Sequence, residues 1–346
     1  MRGLIFGLTL LTSVASAQSV TLTCEPKAAS VELGGRVEVT LVLTNTGDAS
    51  LELPILEDDR RLCSLDLQLD DGPTVVWEKI RGELRNDGFL ALKDDFPKVT
   101  LKPGESTSAV MAFPALAVGT YTITGHYGRN RDWSEVPGFA AEPPPPLAPV
   151  SAQADPVKVT VTPDAEGNDA LAVRIVTTHG PMRAELFTDG PTLGTALHFA
   201  DLIQYGAYKQ GVFSPNFYDG LIFHRAMPGF MIQGGDPKRD GSGGPGYMIP
   251  AEIPDPLPEG LTHTQGTLSM ARSGHPDSAG SQFYVTVADR KDLDGRYTAF
   301  GRLTHGLDVA VTISQVERVE QGPKNEKSRP VEPVVMDSVR LVPFKK

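Results

Sequence analysis

Phe223-His224-Arg225-Ala226-Met227-Pro228-Gly229-Phe230-Met231-Ile232-Gln233-Gly234-Gly235-Asp236 holds one arginine and one glutamine that stand out as candidates for chemistry. The guanidinium of Arg225 stays charged at any relevant pH and offers a planar fork of donors. Gln233 follows eight residues on. That even spacing keeps both side chains on one face if the intervening strand is regular.

Downstream, Leu268-Ser269-Met270-Ala271, Gly280-Ser281-Gln282-Phe283, Leu293-Asp294-Gly295 and Phe300-Gly301 follow in order. Together with 223–236 they resemble the signature of the cyclophilin-type peptidyl-prolyl cis/trans isomerases, and the resemblance covers residues 170–346. It implies an antiparallel β-barrel capped by two helices, the second near Leu307 to Val316. It also implies Arg225, Gln233 and His224 as catalytic residues. Phe230, Met231, Tyr284 and Leu293 are implied as a proline slot with Tyr297 at its rim, and Ala271, Arg272 and Gln282 as further substrate contacts. Buried Phe, Met and Leu are more often packing than ligand contacts, and register with Arg225 is what singles these out.

Elementary chemistry asks for the same parts. Rotating an X-Pro bond breaks amide resonance across a barrier of about 18–20 kcal/mol, and spontaneously takes tens to hundreds of seconds. A catalyst needs a donor or cation near the imide nitrogen, an apolar slot for the ring, and donors on the flanking carbonyl. Going from about 0.01 to about 1,000 per second requires roughly 7 kcal/mol. No cofactor is implied. The rival reading is a non-catalytic module that holds proline-containing segments, but pure binding needs no charge at the imide nitrogen.

The chain departs from the family pattern at three positions. Tyr284 stands where Phe is common, and its hydroxyl must find a partner. Arg272 stands where asparagine is frequent. Asp292 aligns with a tryptophan of many eukaryotic members, which predicts weak cyclosporin binding. The run Gly241-Ser242-Gly243-Gly244-Pro245-Gly246 matches G-x-G-x-x-G, yet Pro245, Pro250, Pro254, Pro256 and Pro258 prevent the helix a dinucleotide site needs. It reads as a flexible loop beside the groove. Ser242 lacks the glycine spacing of a nucleophile elbow.

Upstream, Leu171, Val173 and Ile175 alternate, Thr178-His179-Gly180-Pro181 turns, and Met182, Ala184 and Leu186 alternate back, predicting a hairpin. Pro191 suits the first turn of a helix with Leu193, Ala196, Leu197 and Ala200 as its apolar stripe, His198 beside it as a structural residue, and Gly206 as a left-handed stop. Residues 163–169 read as a polar linker. From 18 to 162 short strands recur: Val37, Val39, Leu41 and Leu43, then Cys63, Leu65, Leu67 and Leu69, then Tyr121, Ile123 and Tyr127. That rhythm suggests an antiparallel, immunoglobulin-like β-sandwich, with Glu142 to Pro149 as a stiff proline-rich connection before its last strand. It carries no titratable cluster and is expected to be a spacer or to bind a protein partner.

At 346 residues, 40% hydrophobic and 22% charged, the chain fits two globular domains and a mainly β fold. A net charge of -11 without a basic cluster speaks against nucleic acid. Seven histidines without metal-ligand spacing and two distant cysteines speak against a metal. Residues 1–17 read as a signal peptide: Arg2, an apolar run from Leu4 to Leu11, and Ala15-Ser16-Ala17 as the cleavage site. The apolar run is too short to span a membrane, so a periplasmic or extracellular protein with no remaining membrane span is expected. A lipoprotein anchored at Cys24 is the less fitting alternative. Cys24 and Cys63 form either a disulfide, slightly the better expectation after export, or two separate buried thiols.

Overall fold

The computed structural model describes residues 20–54, 63–77, 82–84, 90–92, 98–128, 150–209, 212–321 and 326–346. The signal segment 1–17 and the proline run 142–149 lie outside them. Among these residues the chain is mainly β with two α-helices.

Among the described residues the N-terminal part forms two larger sheets and two two-stranded pairs, Leu51–Pro54 with Lys98–Leu101 and Gly82–Leu84 with Leu90–Leu92. Val20–Pro26, Arg36–Asn45 and Ser106–Pro114 make one, all antiparallel. Ser30–Glu32, Val157–Thr162, Gly119–Tyr127, Cys63–Leu69 and Val75–Trp77 make the other, in that order. The alternating apolar residues read from the sequence face inward: Val37, Val39, Leu41 and Leu43 are buried, and so are Leu65, Leu67, Tyr121 and Ile123. Gly125 lets the sheets approach closely, because a Cβ there would collide with the Leu41 side chain. One pairing departs from the antiparallel expectation: Val157–Thr162 runs parallel to Ser30–Glu32.

Cys24 and Cys63 are both buried free thiols, so the expected disulfide is absent. Register explains it. Cys24 packs beside Gly125, whereas Cys63 pairs with Tyr127 two residues further along that strand. Two residues displace a side chain by about 6.5 Å along a strand.

Residues 163–169 form a tight turn in which the Asp164 carboxylate accepts the backbone N–H groups of Glu166 and Asn168. The next strand leaves directly from the N-terminal sheets, since Leu171 N–H donates to the Leu116 carbonyl and Val118 N–H to that of Asp169.

Eight strands then form one curled sheet, ordered Phe223–Met227, Met231–Gly234, Phe283–Thr286, Thr267–Met270, Ala299–His305, Gly180–Leu186, Ala170–Thr177, Met336–Phe344. An Ile222 to Val335 bridge and a Met336 N–H to Leu221 carbonyl bond join the outer edges and close the barrel. The first hairpin is tighter than the sequence suggests. Thr177 pairs with Gly180, so Gly180 and Pro181 belong to the strand and only Thr178 and His179 turn.

Helix α1, Leu193–Gln204, is buried from Leu193 to Ile203. Pro191 precedes its N-cap, Thr192, rather than lying in the first turn. The Thr192 side chain makes no cap bond. Glu252 takes that place by accepting the N–H groups of Gly194 and Thr195 at 3.1 and 2.7 Å, which also sets a carboxylate against the positive helix end. Gly206 follows the helix at φ 74, as the left-handed stop requires. His198 Nε2 donates to the Gly280 carbonyl at 2.8 Å inside the core. Helix α2, Leu307–Gln315, ends one residue before the expected limit, with Val316 as its C-cap.

An aromatic cluster stiffens the centre. Phe199 of α1 meets Tyr218, Phe283 and Phe300 at centroid distances of 4.8, 5.1 and 5.0 Å. With Phe283 anchored there, alternation along the strand turns Tyr284 to the opposite face.

Candidate active site

Arg225 and Gln233 are direct cross-strand partners, on Phe223–Met227 and Met231–Gly234. Their eight-residue spacing therefore does not reflect one regular strand. The chain reverses at Pro228-Gly229, where Gly229 holds φ 66 and Phe230 N–H donates to the Met227 carbonyl at 3.1 Å. Opposed residues on one face of an antiparallel pair lie close enough for their side chains to interact.

The Arg225 side chain is 29% exposed, and its guanidinium is engaged on two sides. Its Nη1 donates to Gln233 Oε1 at 3.4 Å. Its Nε and Nη2 donate to Glu326 Oε2 and Oε1 at 2.6 and 2.8 Å. Gln233 Nε2 passes the network to Gln282 Oε1 at 2.9 Å, and Gln282 Nε2 donates to the carbonyls of Gly241 and Gly243, each at 2.9 Å.

Beside this polar row lies a small apolar cluster separate from the main core. Met231, Tyr284 and Leu293 form its buried floor, with Met227, Phe230, Ala271 and Tyr297 partly exposed around it. The expected slot residues are therefore brought together. Arg225 stands 5.6 Å from the Phe230 ring, and the rings of Tyr284 and Tyr297 meet edge-on at 5.9 Å. Arg272 lies over Tyr297 at 4.9 Å and donates to the carbonyls of Arg296, Ser273 and Gly274, which pins it at the rim. Ala271 N–H donates to the Gln282 carbonyl at 2.9 Å. Arg290 covers the Phe230 ring at 3.9 Å while paired with Asp292 through bonds of 2.8 and 2.6 Å.

The Tyr284 hydroxyl finds its partner inside the protein, at His263 Nε2, 3.1 Å away. His263 in turn meets Asp294 Oδ1 with both its backbone N–H and Nδ1, at 2.7 and 2.9 Å. A carboxylate only accepts, so Nδ1 carries the proton and Nε2 is the acceptor. Ser269 Oγ, also near Nε2, donates to the Thr298 carbonyl at 2.9 Å, leaving the tyrosine to fill Nε2. Burial holds His263 below its ordinary pKa, so it stays neutral, and pushes the Tyr284 phenol well up.

His224 does not join the apolar cluster. It is buried, with its Nε2 toward Gly241, and burial lowers its pKa. The glycine-rich segment is not the loose loop expected from its composition. Asp236, fully buried, accepts the N–H groups of Lys238, Asp240 and Gly241, while Gln282 holds the segment from the other side. A Cβ at Gly243 would strike the Asp236 carboxylate.

Comparison with known proteins places the barrel part in a family. The family model "cyclophilin type peptidyl-prolyl cis-trans isomerase/CLD" matches residues 172–341. A peptidyl-prolyl cis-trans isomerase-like 3 of Dictyostelium discoideum is 34% identical over 172 residues, 49% of this chain and 95% of that protein. The chain belongs to the cyclophilin family. A peptidyl-prolyl cis-trans isomerase of Synechococcus elongatus is 44% identical over 138 residues, 40% of this chain and 83% of that protein. A crystal structure of a Cryptosporidium parvum cyclophilin in the presence of the dipeptide Ala-Pro is 29% identical, at a TM-score of 0.41, covering 49% of this chain and 98% of that one. The chain is thus a cyclophilin-type peptidyl-prolyl cis-trans isomerase with a further β-rich part before it.

Sequence reasoning missed three groups of this cyclophilin's site. Glu326 reaches Arg225 across 101 positions, with no pattern that announces it. His263 and Arg290 likewise carry no spacing signal. Only the unanswered question of where the Tyr284 hydroxyl goes pointed toward His263. Among the described residues no group of three or more His, Cys, Asp or Glu side chains could hold a metal, and no helix is long and apolar enough to cross a membrane.

Proposed function

We propose that this cyclophilin accelerates cis/trans isomerisation of X-Pro bonds in exported polypeptides and so assists their folding. The observation that carries the reading is the Arg225 guanidinium, tied to Gln233 and standing over the edge of a pocket floored by Met231, Tyr284 and Leu293. As the imide twists, its nitrogen lone pair localises. A donor from Arg225 then stabilises the twisted state more than the planar one, which is the condition for catalysis rather than binding. The pocket takes the pyrrolidine ring and excludes water. Gln233 steadies the arginine and meets the flanking carbonyl, while Ala271, Arg272 and Gln282 line the path of the peptide. His224 contributes from behind the strand by packing under the glycine segment.

The export of the protein rests on the leader-like residues 1–17, and sequencing the mature N-terminus from culture tests it, with Gln18 as the expected first residue. The β-rich N-terminal part is proposed to be an immunoglobulin-like module that spaces the enzyme or recruits a protein client. Exchange of a proline tetrapeptide followed by NMR tests the chemistry. Catalysed exchange in the wild type and a loss on the order of a hundredfold in Arg225→Ala are expected. Uncatalysed rates in both proteins would favour the proline-segment binding module instead.

A further inference from the structure

The catalytic reading leaves one contact unexplained, the double bond from Arg225 to Glu326. A carboxylate beside the working cation would weaken its field if it sat between the guanidinium and the pocket. The geometry shows a different arrangement. Glu326 takes Nε and Nη2, one edge of the planar fork, with each carboxylate oxygen on its own nitrogen. The remaining nitrogen, Nη1, is the one directed at Gln233.

We propose that Glu326 is a positioning residue for Arg225: it grips the Nε/Nη2 edge of the guanidinium and so aims Nη1 at the substrate. The inference rests on the isomerase reading above. A bidentate carboxylate pair fixes both the distance and the plane of a guanidinium, which a single 3.4 Å bond to Gln233 does not. Glu326 is itself placed by a hairpin of Arg318–Gln321 with Glu326–Pro330, anchored where Val331 N–H donates to the Glu317 carbonyl. Its backbone therefore belongs to a different hairpin from the one carrying Arg225 and Gln233. Two hairpins clamp one side chain, and an arginine so held keeps its rotamer when the peptide arrives rather than having to find it.

The test is a double-mutant cycle on the full chain, with proline-tetrapeptide exchange as the readout. Glu326→Ala is expected to lower kcat/KM roughly tenfold, mainly through kcat, because the bond to the imide nitrogen strengthens only in the twisted state. Glu326→Gln retains one acceptor oxygen and should fall between Glu326→Ala and the wild type. In the Arg225→Ala background, Glu326→Ala should change nothing further. The Arg225 Nε–Hε resonance should shift and broaden in Glu326→Ala while the backbone spectrum keeps its dispersion. An unchanged or faster rate in Glu326→Ala would overturn the proposal, as would an equal loss in both backgrounds, which would mean that Glu326 acts on the fold or on the peptide itself. Uncatalysed exchange in the wild type would instead refute the isomerase reading.

Discussion

Removing the Asp294 carboxylate tests the polar layer beneath the slot. Asp294 Oδ1 accepts two bonds from a residue only 1% exposed in its side chain, the backbone N–H and Nδ1–H of His263, at 2.7 and 2.9 Å. Bonds to a charged acceptor contribute about 1.5–3 kcal/mol each. The Asp294 side chain is 20% exposed, so water can replace part of what is lost and the lower end applies. Asp294→Ala should therefore cost about 3 kcal/mol. For a domain of the isomerase part's size, about 2–4 °C per kcal/mol translates this into a Tm lowered by roughly 6–12 °C. Calorimetry of the full chain with and without the substitution measures it. Asp294→Asn, which keeps the Oδ1 acceptor for both bonds but loses its charge, should lose about half as much. A shift below about 2 °C would show that the two contacts are not needed to hold His263, and with it the placement of the Tyr284 hydroxyl.

Stability should also fall with acid. Burial holds both His224 and His263 below the ordinary value of 6.5. Above about pH 6.5 the imidazoles are neutral folded and unfolded; below it the unfolded chain takes up protons that the folded one refuses, so stability drops by up to about 1.4 kcal/mol per pH unit for each. Denaturant midpoints that stay flat between about pH 7 and pH 5 would contradict this. Tyr284→Phe should leave prolyl exchange close to wild type, since the ring remains, while lowering stability by about 1 kcal/mol. Cys24, whose thiol burial pushes up to about 11, and Cys63 should both be silent to a disulfide-exchange reagent in the native protein and react on unfolding. Cyclosporin should bind weakly, because Asp292 offers no aromatic surface and Arg290 lies across Phe230; submicromolar inhibition would refute that.

Much of the site was legible in the chain because it is built from neighbours. Arg225 and Gln233 stand on one hairpin, and Tyr284 and Leu293 fall within motifs whose order was readable without coordinates. Alternation likewise exposed the strands, since a half-buried strand must repeat every second residue. Turns were less legible. The two-residue hairpin at Thr178-His179 and the N-cap at Thr192 differ from the expected boundaries because hydrogen bonds, not composition, decide where a strand or helix begins.

What sequence alone determined about this protein was which residues could do the chemistry and the periods of the elements that carry them, because backbone geometry links residues two or four apart. Tertiary structure alone decided what surrounds them: Glu326 on Arg225, His263 under Tyr284, Asp236 and Gln282 gripping the glycine segment, and two cysteines kept apart by register. These pairs are separated along the chain by distances that no local period encodes. They meet only because the sheet closes and brings its distant strands and loops around one pocket.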